Sequence, residues 1–207
     1  MARYLAPNCR VCRRLGTKLF LKATKCLSEK CTLNRRKAPP GERQRMGKLT
    51  PYAIQLKEKQ KLKKMYGLLE SQFHTFFDRA RSKKGVTGDN LLLLLETRLD
   101  NVVFRLCFAS SRPMARQLVL HGHIRLNGRK VDIPSCQVKI GDVISVKEKS
   151  RQIKSVNDTL GAAVSQNLAP WLVLDIDKYE GKVDRFPTRD DIKIPVNEQA
   201  VVELYSK

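Results

Sequence analysis

Apolar residues recur along this chain first at helical spacing and later at strand spacing. Thr50 followed by Pro51 marks a helix start, because a hydroxyl can accept an orphan N–H and proline has none to lose there. Ile54, Leu62, Met65 and Tyr66 form its expected buried stripe, with Lys57, Lys59, Lys61, Lys63 and Lys64 mostly outside it until Gly67. Leu69, Phe73, Phe76, Phe77 and Ala80 then repeat at the period of a buried helix face, which reads the phenylalanines as core. Lys83-Lys84-Gly85 ends that helix, with cations at the negative end of the dipole. Thr87-Gly88-Asp89-Asn90 offers caps for Leu91 onward, and Leu99, Val102, Val103 and Leu106 keep helical spacing after a break.

Ser111 is placed to cap a further helix with Pro113 in its first turn and Ala115, Leu118 and Val119 inward. At His121-Gly122 the period changes to two. Ile124 and Leu126 precede Asn127-Gly128, and Val131 and Ile133 follow it, which predicts a hairpin; Val143 to Val146 predicts a third strand after Gly141-Asp142. In the tail, a helix over 156–166, strands over 171–176 and 182–186, a core Trp171 and a last helix capped by Asn197 are predicted. The chain is thus α+β, with expected segments at 1–45 (including a linker from Ala38-Pro39-Pro40-Gly41), 46–97 (helical, completed by 197–207), 98–150 (helices on a small antiparallel sheet) and 151–196 (an extension with a β-hairpin).

Charge changes the picture. The 41 Lys and Arg against 20 Asp and Glu leave +21 and a pI near 10.1, a self-repulsion that calls for a polyanionic partner, nucleic acid or an anionic membrane. Residues 1–90 carry +17, residues 91–150 carry +5 and residues 151–207 carry −1, so the basic face is expected on the first two segments. The longest uninterrupted apolar run, Leu91 to Leu95, falls far short of the roughly 20 residues of a spanning helix. The first residues lack the apolar core of an export signal, so a cytoplasmic location is expected.

Six cysteines in a reducing compartment point to metal or catalysis before disulfides. Cys9, Cys12, Cys26 and Cys31 follow C-x2-C-x13-C-x4-C, two close pairs across a loop, a spacing that lets four thiolates converge on one zinc. An iron–sulfur cluster or metal-free thiols are the alternatives. With four sulfur ligands no position stays open for water, so such a zinc is structural, and Arg10, Arg13, Arg14, Lys25 and Lys30 would balance its charge. Cys107 and Cys136 have no close partner and read as buried small side chains.

The run Arg98-Leu99-Asp100-Asn101-Val102-Val103, Ser110-Ser111-Arg112, Ala115-Arg116-Gln117-Leu118-Val119, His121-Gly122-His123-Ile124, Val131 and Gly141-Asp142 resembles the RNA-binding module called the S-four domain. With the lysine-rich helix and the closing Val202-Glu203-Leu204-Tyr205-Ser206-Lys207, nearly the whole chain resembles the bacterial ribosomal S-four family. That resemblance implies a non-enzymatic protein of the small ribosomal subunit that binds small-subunit rRNA at a junction of helices and nucleates assembly. It also implies a place beside the channel by which mRNA enters, a role in translational accuracy, and the third and fifth small-subunit proteins as neighbours. Neither a membrane nor a small-molecule substrate is implied. Only some family members carry the four-cysteine zinc site.

The RNA-binding residues expected on this basis are Arg10, Arg13 and Arg14; Lys57, Lys61 and Lys64; and Ser111, Arg112, Arg116, Gln117, His121, His123, Arg125, Arg129 and Lys130. A helix N-terminus at Ser111 adds free N–H groups and partial positive charge for phosphate. Arg43, Arg45 and Lys48 are the candidates for the mRNA channel. Their segment, Pro40 to Lys48, lacks the histidine that many family members have after Pro-Gly and is shorter. The rival readings are an RNA-modifying enzyme with an appended module, for which no catalytic constellation is visible, and a zinc-dependent DNA-binding protein, for which no reading helix is visible.

Overall fold

A computed structural model of the protein describes residues 4, 6–36, 38–41, 48–163 and 168–206. Its helices are α1 (Asn8–Leu15), α2 (Thr24–Leu27), α3 (Thr32–Arg35), α4 (Pro51–Met65), α5 (Glu70–Arg81), α6 (Thr87–Glu96), α7 (Leu99–Arg105), α8 (Arg112–Leu120), α9 (Lys154–Ala163) and α10 (Glu198–Tyr205). The strands are β1 (Ile124–Leu126), β2 (Arg129–Lys130), β3 (Val143–Val146), β4 (Leu172–Asp175) and β5 (Glu180–Val183). The chain divides into two units, Met1–Leu91 with Ile194–Lys207, and Leu92–Lys193. None of the described helices is long and apolar enough to cross a membrane.

The first unit is helical. Thr50 Oγ1 accepts from Ala53 N at 3.2 Å, and Pro51 opens α4. α10 lies against α4; Asn197 caps it by accepting from Ala200 N at 3.2 Å, and Asn197 N donates to Glu58 at 3.1 Å. Tyr205 stacks on Phe77 with centroids 4.5 Å apart and on Phe73 at 6.2 Å, and Phe73, Phe76 and Phe77 are buried as read. Ile54 leaves the expected stripe and is 47% exposed. Eight residues from Leu62 at 100° each put it about 80° around the helix. Lys63, expected outside, is buried because Glu70 takes both its ammonium and that of Lys59.

The second unit packs helices on one five-stranded antiparallel sheet in the order β2-β1-β3-β5-β4. Asn127 and Gly128 both have positive φ, 50° and 76°, as a two-residue turn matched to strand twist requires. Leu99, Val102, Leu106, Phe108, Val119, Ile124, Ile144 and Trp171 share the core. β5 pairs with β3, so the hairpin expected in a separate 151–196 extension completes this sheet, and the unit runs past residue 150. Gly181 allows it: a Cβ there would lie 2.3 Å from Leu106 Cδ2.

Alternation carried the second strand through Val131 and Ile133, yet β2 stops at Lys130. Beyond it the chain turns to the start of α7, where Leu99 N donates to Cys136 O at 2.8 Å and Asp100 N to Pro134 O at 3.1 Å. These bonds serve helix-start N–H groups that have no intrahelical acceptor. The helix expected over 156–166 is α9, starting two residues earlier, and Gln166 lies outside the described residues. Cys107 and Cys136 are half-buried, Cys107 at a turn with φ 60° after α7.

Candidate nucleic-acid interface

Charged residues interrupt the apolar run from Leu91 to Leu106, and the fold gathers them inside the second unit. Arg98, 2% exposed, donates Nε to Asp100 Oδ1 at 3.0 Å and Nη2 to Asp100 Oδ2 at 2.7 Å. Arg116 Nη1 reaches the same Asp100 Oδ2 at 3.1 Å from α8. Arg105 grips Glu96 with bonds of 2.9 and 2.6 Å, and Glu96 is 0% exposed. Asn101 ties Glu96 to α8: its amide donates to Glu96 O at 2.9 Å and Glu96 Oε2 at 2.7 Å, and its Oδ1 accepts from Arg112 Nε at 2.7 Å.

Asp100 and Glu96 thus each hold two guanidiniums. Such a network gains rigidity and specific geometry at a desolvation cost, since the low dielectric makes each partner expensive to leave unmatched. Arg112 stands at its rim, its guanidinium 4.7 Å from the Phe104 ring centroid and 3.9 Å from Glu96.

This placement revises the expected phosphate contacts on α8. Arg116 is 7% exposed and holds Asp100 instead of facing outward. Ser111 is at the N-cap position, but it is buried and its hydroxyl makes no capping bond. Gln117 and His121 are exposed; His123 is half-buried, with Nδ1 2.9 Å from Ser150 Oγ. Burial, then His121 and Lys147, push the His123 pKa down.

On β1 and β2, register pairs Arg125 with both Lys130 and Ser145, so Arg125 and Lys130 stand side by side on the sheet face away from buried Ile124 and Ile144. Arg129 is exposed at the turn end of β2. Asn127 fixes that turn: its amide donates to Asp142 Oδ1 at 2.8 Å, and its Oδ1 accepts from Val143 N at 2.8 Å.

In the first unit Arg10 and Arg14 are exposed on α1, whereas Arg13 donates to Ala38 O at 2.9 Å and Pro39 O at 3.3 Å. On α4, Lys57 is half-buried, Lys61 pairs with Glu58, and Lys64 lies 3.8 Å from the Tyr4 ring centroid. Burial, then Lys63, push the Lys64 pKa down. Lys48 is exposed; Arg43 and Arg45 lie outside the described residues.

Cys12, Cys26 and Cys31 are buried and Cys9 half-buried, supplied by α1, α2 and the residue before α3. Burial raises the Cys12 thiol pKa, a bond from the Leu19 backbone opposes this, and Cys26, Cys9 and Cys31 add to the rise, so the four are electrostatic neighbours. Lys22 N donates to Cys26 Sγ at 3.3 Å. Among the described residues no three His, Cys, Asp or Glu side chains converge to metal-binding distances.

Glu96, Asp100, Asn101 and Arg105 were absent from the expected site. Their signal was the charge within an apolar helical run, which a buried network explains.

Comparison with known proteins agrees with both units. Residues 3–96 match the family model for the ribosomal protein S4/S9 N-terminal domain, and residues 97–144 match the S4 domain. Proteins named small ribosomal subunit protein uS4 from Geotalea daltonii (54% identical), Trichlorobacter lovleyi (56%) and Thermoanaerobacter pseudethanolicus (56%) align with all of this chain over all of their own length. Identity at that level through both units makes this chain a member of the uS4 family of small ribosomal subunit proteins.

Proposed function

We propose that the protein is a structural component of the small ribosomal subunit in the cytoplasm, and that it binds small-subunit rRNA directly. The observation that carries this is its end-to-end similarity to proteins named for that subunit. The physics supports it: +21 overall and an Arg125–Lys130 pair on an open sheet face suit a phosphate surface. Its role is structural and not catalytic.

The finer reading follows the family resemblance. The rRNA target is a junction of helices, recognised by backbone shape and hydroxyls because the A-form major groove is too narrow for side chains. The protein nucleates assembly of the subunit body, beside the third and fifth small-subunit proteins. Lys48, with Arg43 and Arg45, serves the channel by which mRNA enters and so affects accuracy. Hydroxyl-radical footprinting of small-subunit rRNA with the full chain tests this: protection confined to one helical junction is expected, and diffuse or absent protection would refute it.

The spacing and shared neighbourhood of the four cysteines support one structural zinc, to which their thiols would draw closer than they stand. Three of the four thiols are buried, an N–H already serves Cys26 Sγ, and a zinc held by Cys9, Cys12, Cys26 and Cys31 would tie α1 to the turns that follow. Metal analysis of freshly purified, reduced protein should find one zinc per chain, and iron or no metal would sink this reading. Cys26→Ser should speed hydrogen exchange up to about residue 40 and leave the hairpin at Asn127-Gly128 protected.

A further inference from the structure

Between α1 and α4, inside the first unit, lies a cleft of about 890 Å³ whose cations are among the RNA-binding residues expected above and whose apolar lining is not. Its volume falls within the range of about 300–1,000 Å³ typical of ligand clefts. Val11 and Leu15 of α1 and Ala53 and Leu56 of α4 give it an apolar floor, with Leu49 and Tyr4 alongside. Four cations stand over that floor: Arg10 and Arg14, one turn apart on α1, and Lys57 and Lys64 on α4. Among the described residues no carboxylate lines the cleft, and none pairs with these four cations. Lys64 is held in partial burial with its ammonium against the Tyr4 ring face.

We propose that this cleft seats a short unpaired segment of single-stranded RNA, bases on the apolar floor and phosphates on the four cations. The inference rests on the reading of the protein as an rRNA binder and adds the strandedness and the place. A duplex hides its base faces and offers only backbone, so it would leave the floor wet. An acidic peptide could neutralise the cations but has no flat apolar group for the floor. An unpaired nucleotide supplies both, an apolar base face for the floor, where Tyr4 is the one aromatic ring among the described residues, and a phosphate for the cations.

The test uses the full chain and a hexaribonucleotide of uridine carrying one 4-thiouridine for photocrosslinking. Crosslinks should map to α1 and α4, and a duplex of equal length and a hexaglutamate peptide should each compete at least about tenfold less well than unlabelled hexauridine. Ala53→Phe fills the floor without changing charge and should weaken hexamer binding at least about fivefold. Should that variant fail to fold, as circular dichroism would show, Arg14→Gln and Lys57→Gln together must give the same loss. Crosslinks elsewhere or none, equal competition by duplex or peptide, or unchanged binding in the folded variants would overturn the proposal. If the wild-type chain still footprints small-subunit rRNA in that event, only the cleft is refuted; if it does not, the functional reading falls as well.

Discussion

Asp100 sits under two guanidiniums, and what its removal does separates stability from binding. Asp100→Asn takes away the carboxylate that buried Arg98 and Arg116 share, and loss of one partner from a buried pair costs about 3–5 kcal/mol. Urea unfolding of the full chain should register it. Arg125→Ala, on the open sheet face, should change unfolding by less than about 0.5 kcal/mol and weaken rRNA binding by about 1 kcal/mol. Equal destabilisation by the two substitutions would contradict this division.

Glu70 gives a pH test at the same scale. Burial alone would raise its pKa, but bonds from Lys59, Lys63 and Tyr205 outweigh that and bring it from 4.5 to about 2. A carboxylate depressed in the folded state stabilises above its unfolded pKa and loses that contribution as pH falls through the folded value. Between pH 4.5 and about 2, wild-type stability should fall more steeply than that of Glu70→Gln in acid titration of the urea midpoint. Parallel curves would mean that the cluster contributes nothing. Half of the Glu70 side chain meets water, which screens its charge.

Among elements, local signals were legible where the cause is local. Thr50-Pro51, Asn127-Gly128 and Asn197 carry their own capping or turn chemistry, and each does in the fold what its residue type allows. What sequence did not reveal depends on distant partners: β2 ends early because Pro134 and Cys136 serve α7, and Arg116 turns inward because Asp100 waits in α7. The candidate site was therefore legible as a basic region and a set of cysteines, but not as a division between cations that build and cations that face outward. β5 adds a packing test. Gly181→Ala would drive a methyl into Leu106 and should cost about 1–3 kcal/mol in urea unfolding, whereas Gly161→Ala, with nothing within 4 Å, should not destabilise by overpacking.

For the molecule as a whole, charge sets how binding responds to salt. Each phosphate contacted lowers log affinity by about 0.7 per decade of salt on single strands and about 0.9 on B-form DNA duplex. With +17 on residues 1–90 and +5 on residues 91–150, filter binding to small-subunit rRNA should weaken steeply between low and moderate salt, and a flat response would exclude phosphate as the main contact.

The helical unit draws on both ends of this sequence, with Gln55 bonded to Glu203 across 148 residues and Tyr205 against Phe73 and Phe77. At about 5–20 residues per second, a ribosome making this chain takes roughly 7–30 s to pass from Gln55 to Glu203. Leu92–Lys193 is contiguous and can close its sheet in that interval, while α4 and α5 wait for α10. α4 and α5 are thus translated before the sheet unit and finished after it, and for those seconds the faces of Phe73 and Phe77 that Tyr205 will cover stay open to whatever else the nascent chain meets.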